Sequence, residues 1–162
     1  MSWEMMSIYD IKSIAIIGSG KVANTLGNLI YKKGIEVFAV SSRNIDTGIP
    51  LANKLNCHYT ENYLELQADL ILVATNDDSV VNIINSFPEK QFIAYTAGSI
   101  DLAEINHPNC GVFYPLQTFT ENRTLEVDQI PILLEAKNIH LLGLLSELCE
   151  ELDFSFQFSN SE

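Results

Sequence analysis

A short apolar run, Ile14–Ile17, is followed without a break by Gly18-Ser19-Gly20-Lys21-Val22-Ala23 and then by the helical pattern Val22–Lys32. Few folds accept a buried strand that turns into a helix within so few residues. Gly18 permits the tight turn off the strand. Gly20 lets a ligand approach the backbone, and Ala23 lets the helix pack closely on the strand. The N–H groups that begin a helix have no partner within it and carry the positive end of its dipole, so the arrangement suits a pyrophosphate. Two other phosphate loops do not fit. A P-loop needs glycine where this chain has Ala15 and Ser or Thr where it has Val22. A kinase glycine loop joins two strands, whereas a helix follows here.

The rest of the chain repeats the strand–helix alternation. Strands are expected at Glu36–Val40, Cys57–Thr60, Leu70–Ala74, Phe92–Thr96, Val112–Tyr114, Ile132–Glu135 and Phe154–Phe158. Helices are expected at Pro50–Leu55, Ser79–Phe87 and Asn138–Leu152, the last with a broad apolar stripe that reads as core-facing. This order implies a Rossmann-type α/β fold, doubly wound, with a mostly parallel sheet and helices on both faces. The 162 residues suit one domain: a tail over 1–12, then a dinucleotide-binding domain over 13–162. Hydrophobic residues at 47% supply one sizeable core.

A net charge of −12 argues against nucleic acid or an anionic membrane as partner. Three dispersed cysteines, Cys57, Cys110 and Cys149, and three dispersed histidines fit a reduced cytoplasmic protein without a metal site. No signal peptide or run of transmembrane length is expected.

In open α/β sheets the ligand lies beyond the carboxyl ends of the strands. At the end of the second strand an NAD site usually presents Asp or Glu to the ribose. This chain presents Ser41-Ser42-Arg43, where Arg43 can pair with a 2′-phosphate, so NADP(H) is expected ahead of NAD. The fourth strand ends in Ala74-Thr75-Asn76, whose backbone can meet the ribose. The following Asp77 and Asp78 read as helix caps. The fifth ends in Tyr95-Thr96-Ala97-Gly98-Ser99 and the sixth runs into Tyr114-Pro115-Leu116-Gln117-Thr118-Phe119.

Taken in order, these motifs resemble the Rossmann-like NADP oxidoreductases that pair such a domain with a C-terminal α-helical domain of unknown function. These lie in the wider set of 6-phosphogluconate and β-hydroxyacid dehydrogenases, pyrroline-5-carboxylate reductases and deazaflavin-dependent NADP reductases. The resemblance runs from Ile14 onward, and Tyr114–Phe119 is its most specific piece. It implies hydride transfer to or from a small polar substrate by a cofactor-carrying protein. Thr96, Ser99, Tyr114 and Gln117 are then the candidates to assist at the nicotinamide end. Many relatives carry His where this chain has Tyr95 and Tyr114. The helical domain, which in the wider set closes the pocket and supplies the dimer interface, is expected to be missing from these 162 residues. A homodimer is therefore expected only with it. A non-catalytic NADP(H) sensor is the alternative function.

Overall fold

The computed structural model describes residues 11–75, 78–116 and 130–159. Eight strands form one sheet in the order β3-β2-β1-β4-β5-β6-β7-β8. They are β1 Ser13–Ile17, β2 Glu36–Ser41, β3 His58–Thr60, β4 Leu70–Val73, β5 Phe92–Tyr95, β6 Cys110–Pro115, β7 Ile132–Ala136 and β8 Phe156–Phe158. All neighbours run parallel except β6 and β7, which pair antiparallel. The helices are α1 Lys21–Lys32, α2 Ile45–Lys54, α3 Ser79–Asn85 and α4 Ile139–Glu151.

Alternation along β1 assigns its side chains to two separate cores. Ile14 and Ile16 join Ala23, Leu26 and Ile30 of α1 and Leu141, Leu145 and Leu148 of α4. Ala15 and Ile17 join Val80, Ile83 and Ile84 of α3 on the other face. A strand buried on both sides must be apolar throughout, which is why β1 and β4 read as unbroken runs. The chain leaves β1 toward β2 and β3 on one side, then crosses back to β4 on the other. The reversal opens a crevice between the carboxyl ends of β1 and β4.

Helix α2 starts five residues before the expected Pro50. The Asn44 side chain accepts from the Asp46 N–H at 3.0 Å and caps the helix. Pro50 therefore lies inside it, where the missing N–H removes one intrahelical bond without ending the helix. Asp78 stands at the N-cap of α3 but makes no side-chain capping bond. The expected cap Asp77 lies outside the described residues, as do Asn76 and Gln117. Among the described residues no helix is long and apolar enough to cross a membrane.

The turn between β1 and α1 is tight. Gly18 has φ of 123°. A Cβ there would lie 2.4 Å from the carbonyl oxygen of Ala74. Gly18→Ala should therefore cost at least about 2 kcal/mol, from the left-handed backbone and the clash together. Thermal denaturation should show a midpoint lower by several degrees; an unchanged midpoint would mean that the turn relaxes freely.

Candidate functional site

The carboxyl ends of the central strands are stitched by backbone bonds that continue past the strands themselves. The Gly18 N–H donates to the Ser41 carbonyl at 2.7 Å, and the Ala74 N–H donates to that of Ile17 at 2.7 Å. The Thr96 N–H reaches the Val73 carbonyl at 3.1 Å. The glycine loop, the Ser41 end and the Ala74 end are thus held as one rigid rim.

Above this rim lies a cleft of about 470 Å³. It gathers Gly18, Ser19 and Gly20 from the loop, Ser41, Ser42 and Arg43 from the end of β2, and Ala74 and Thr75 from the end of β4. Of the other loop residues, Lys21 faces the neighbouring groove between α1 and α2. Val22 is half-buried against the core, and Ala23 is fully buried beneath the helix.

Gly20 has a different physical basis from Gly18. Its φ is −83°, which any residue adopts, and a Cβ added there would meet no atom within 4 Å. Nothing in the protein itself requires glycine at position 20. The same residue is the N-cap of α1, which has no side-chain cap and no acid in its first turn. Lys21 instead sets a positive charge against the positive end of the helix dipole, an arrangement that an anion at the helix end would relieve. Asn24 holds the loop from behind. Its Nδ2 donates to the carbonyls of Ser19 at 3.1 Å and Gly20 at 2.9 Å. Both carbonyls are drawn toward the helix, so the loop turns its N–H groups outward.

The end of β2 is braced rather than loose. The Ser42 hydroxyl donates to the Asn44 carbonyl at 2.9 Å, and the Tyr59 hydroxyl donates to the Ser42 carbonyl. Ser41 is buried and Arg43 is exposed. Ser19 Oγ and Thr47 Oγ1 share a hydrogen bond of 2.6 Å, which ties the glycine loop to the first turn of α2. At the end of β4 the Thr75 hydroxyl is buried and has no partner among the described residues.

Of the four residues expected to assist catalysis, Thr96, Ser99 and Tyr114 do not line this cleft, and Gln117 lies outside the described residues. Thr96 is 4% exposed, with its hydroxyl buried and without a partner among the described residues. Ser99 is exposed. The half-buried ring of Tyr114 lies on Gly98, where a Cβ would stand 2.4 Å from it. Tyr95 donates its hydroxyl to the Ile100 carbonyl at 2.8 Å, and burial holds its pKa far above the ordinary phenol value. It therefore keeps its proton at neutral pH. Burial also pushes the thiols of Cys110 and Cys149 up to about 12 and that of Cys57 to about 11, so none is a ready thiolate. His107 is buried, with Nδ1 accepting from the Asn109 N–H and Nε2 facing the Pro88 carbonyl, which is a structural role. Among the described residues no group of His, Cys, Asp and Glu is placed to hold a metal ion.

Asn24, Thr47, Glu61, Tyr63 and Asn82 were missed by the sequence motifs. The last three also line the cleft. Only Asn24 had a signal, as a poor helix former in a first helical turn.

A glycine loop opening onto an uncapped helix at a sheet's switch point is a feature shared with nucleotide-dependent oxidoreductases. Residues 13–98, more than half of the chain, match the family model described as NADP oxidoreductase coenzyme F420-dependent. The chain belongs to this family. A solved structure of a Bacteroides fragilis protein named as an NADP oxidoreductase is 30% identical, with a TM-score of 0.82. The match covers 94% of this chain and 62% of that one. Pyrroline-5-carboxylate reductase from Coxiella burnetii is 14% identical with a TM-score of 0.69, over 92% of this chain and 59% of that one. Prephenate dehydrogenase from A. aeolicus, solved with hydroxyphenyl propionate and NAD+, is 9% identical with a TM-score of 0.73. It covers 98% of this chain and 61% of its own, and these two likenesses show the fold alone. This chain therefore spans about three fifths of the length of these solved relatives. No curated protein matches the sequence.

Thr96 gives a direct test of the site's hydration. A buried hydroxyl without a partner carries a desolvation cost, so Thr96→Val should leave stability unchanged or raise it by up to about 1 kcal/mol. Chemical denaturation measures this, and a clear loss would show that the hydroxyl is bonded in solution.

Proposed function

We propose that this chain is the NADP(H)-binding part of an oxidoreductase that transfers hydride to or from a small polar substrate. The observation that carries the proposal is Gly20: an unstrained glycine with open space around it, capping a helix that has no cap of its own. A ligand approaching the backbone gives such a glycine a purpose. The cleft fits that ligand. Gly18, Ser19 and Gly20 would meet the pyrophosphate at the N-terminus of α1, with Lys21 adding positive potential from the neighbouring groove and Val22 and Ala23 packing the helix behind them. Ser41, Ser42 and Arg43 would hold the ribose and its 2′-phosphate, and the segment Ala74 to Asn76 the adjoining sugar.

When bound, the nicotinamide supplies the hydride; the protein's own groups bind, orient and exclude water. The rigid rim from Ser41 to Ala74 means that little reorganisation accompanies binding. Thr96, Ser99, Tyr114 and Gln117 are proposed for the substrate end. The substrate and the full reaction belong to this proposal as well, given the fraction of its relatives that the chain spans.

Two variants test the reading. Gly20→Val should keep the thermal midpoint close to that of the parent, because its side chain enters open space, yet abolish most NADPH binding in calorimetric titration. Unchanged affinity would sink the assignment. Arg43→Ala should weaken NADPH by about 1.5–3 kcal/mol, tenfold or more, and NADH far less, because only NADPH carries the 2′-phosphate. Equal losses for the two dinucleotides would refute the preference for NADP(H).

A further inference from the structure

The cleft that contains Arg43 also contains a carboxylate from the neighbouring strand. In the parallel register of β2 and β3, Ser41 pairs with Thr60. Glu61 is the residue after Thr60 and Arg43 is two residues after Ser41, and both Glu61 and Arg43 line the cleft. The turn that carries Glu61 is fixed on either side. The Thr60 hydroxyl donates to the Glu65 carboxylate at 3.0 Å and accepts from the Asn62 N–H at 3.1 Å. The Asn62 side chain in turn accepts from the Leu64 N–H at 3.1 Å. Glu65 is thus engaged with its own turn, while Glu61 is exposed at the rim.

In NAD sites the acid that binds the ribose hydroxyls stands at the end of the second strand. Here that end is Ser-Ser-Arg, and the acid in the same cleft comes from the end of the third. We infer that Glu61 is a specificity-determining residue that limits the preference of this site for NADP(H) over NAD(H). Its carboxylate accepts from the 2′-hydroxyl of the unphosphorylated ribose and repels the 2′-phosphate that Arg43 attracts. Cofactor choice is then a balance between two opposed charges on adjacent strand ends.

The inference rests on the dinucleotide reading above, and the test separates the two. NADPH and NADH are titrated calorimetrically into the parent chain and into Glu61→Gln and Glu61→Ala, with thermal midpoints recorded for all three. For an exposed charge, removal should tighten NADPH and weaken NADH, raising the NADPH-to-NADH affinity ratio by about threefold to tenfold. The gain for NADPH should shrink at high salt, because repulsion between exposed charges is screened. An unchanged ratio with both dinucleotides still bound, or an equal gain for both, would overturn the role of Glu61 and leave the dinucleotide reading standing. A parent chain that binds neither dinucleotide would overturn both.

Discussion

The carbonyl oxygen of Ala74 occupies the space where any side chain at position 18 would begin, and the position of the site follows from that contact. The close approach brings the end of β4 against the first turn after β1. The Ile17 carbonyl can then take the Ala74 N–H while Gly18 donates to Ser41. Three strand ends become one rim, and α1 leaves it at a fixed angle. Without that contact the helix could still form, but its N-terminus would not be aimed into the crevice that the reversal of strand order creates.

The fold was legible because burial on two faces leaves a strong mark. β4 has no polar residue and β1 none after Ser13, and each is separated from the next strand by a helix with apolar spacing. The start of α2 was not legible. Gly48 and Pro50 both argue against a helix, and the deciding cap is a single bond from the Asp46 N–H to Asn44. The antiparallel pairing of β7 was equally hidden, since direction depends on a connection that carries no motif.

The site was legible only in part, for a related reason. Glycines and a strand-end arginine stand out because their types are unusual where they occur. Asn24, Thr47 and Glu61 are ordinary residues whose meaning comes from neighbours far along the chain or across the sheet. Ser42 shows the converse. It reads as a free donor in sequence, yet its hydroxyl is already given to Asn44. The catalytic candidates at Thr96, Ser99 and Tyr114 lie beyond this cleft, at the ends of β5 and β6.

Gly18 and Gly20 are separated by one residue but answer to different pressures. The first is demanded by the protein's own backbone, so every descendant that folds this way must keep it. The second is demanded by nothing inside the protein. A lineage that ceased to use the loop would lose no stability by letting position 20 drift while position 18 stayed fixed. The residue at position 20 in any descendant is therefore a record of whether the loop is still in service, and it can be read without an assay.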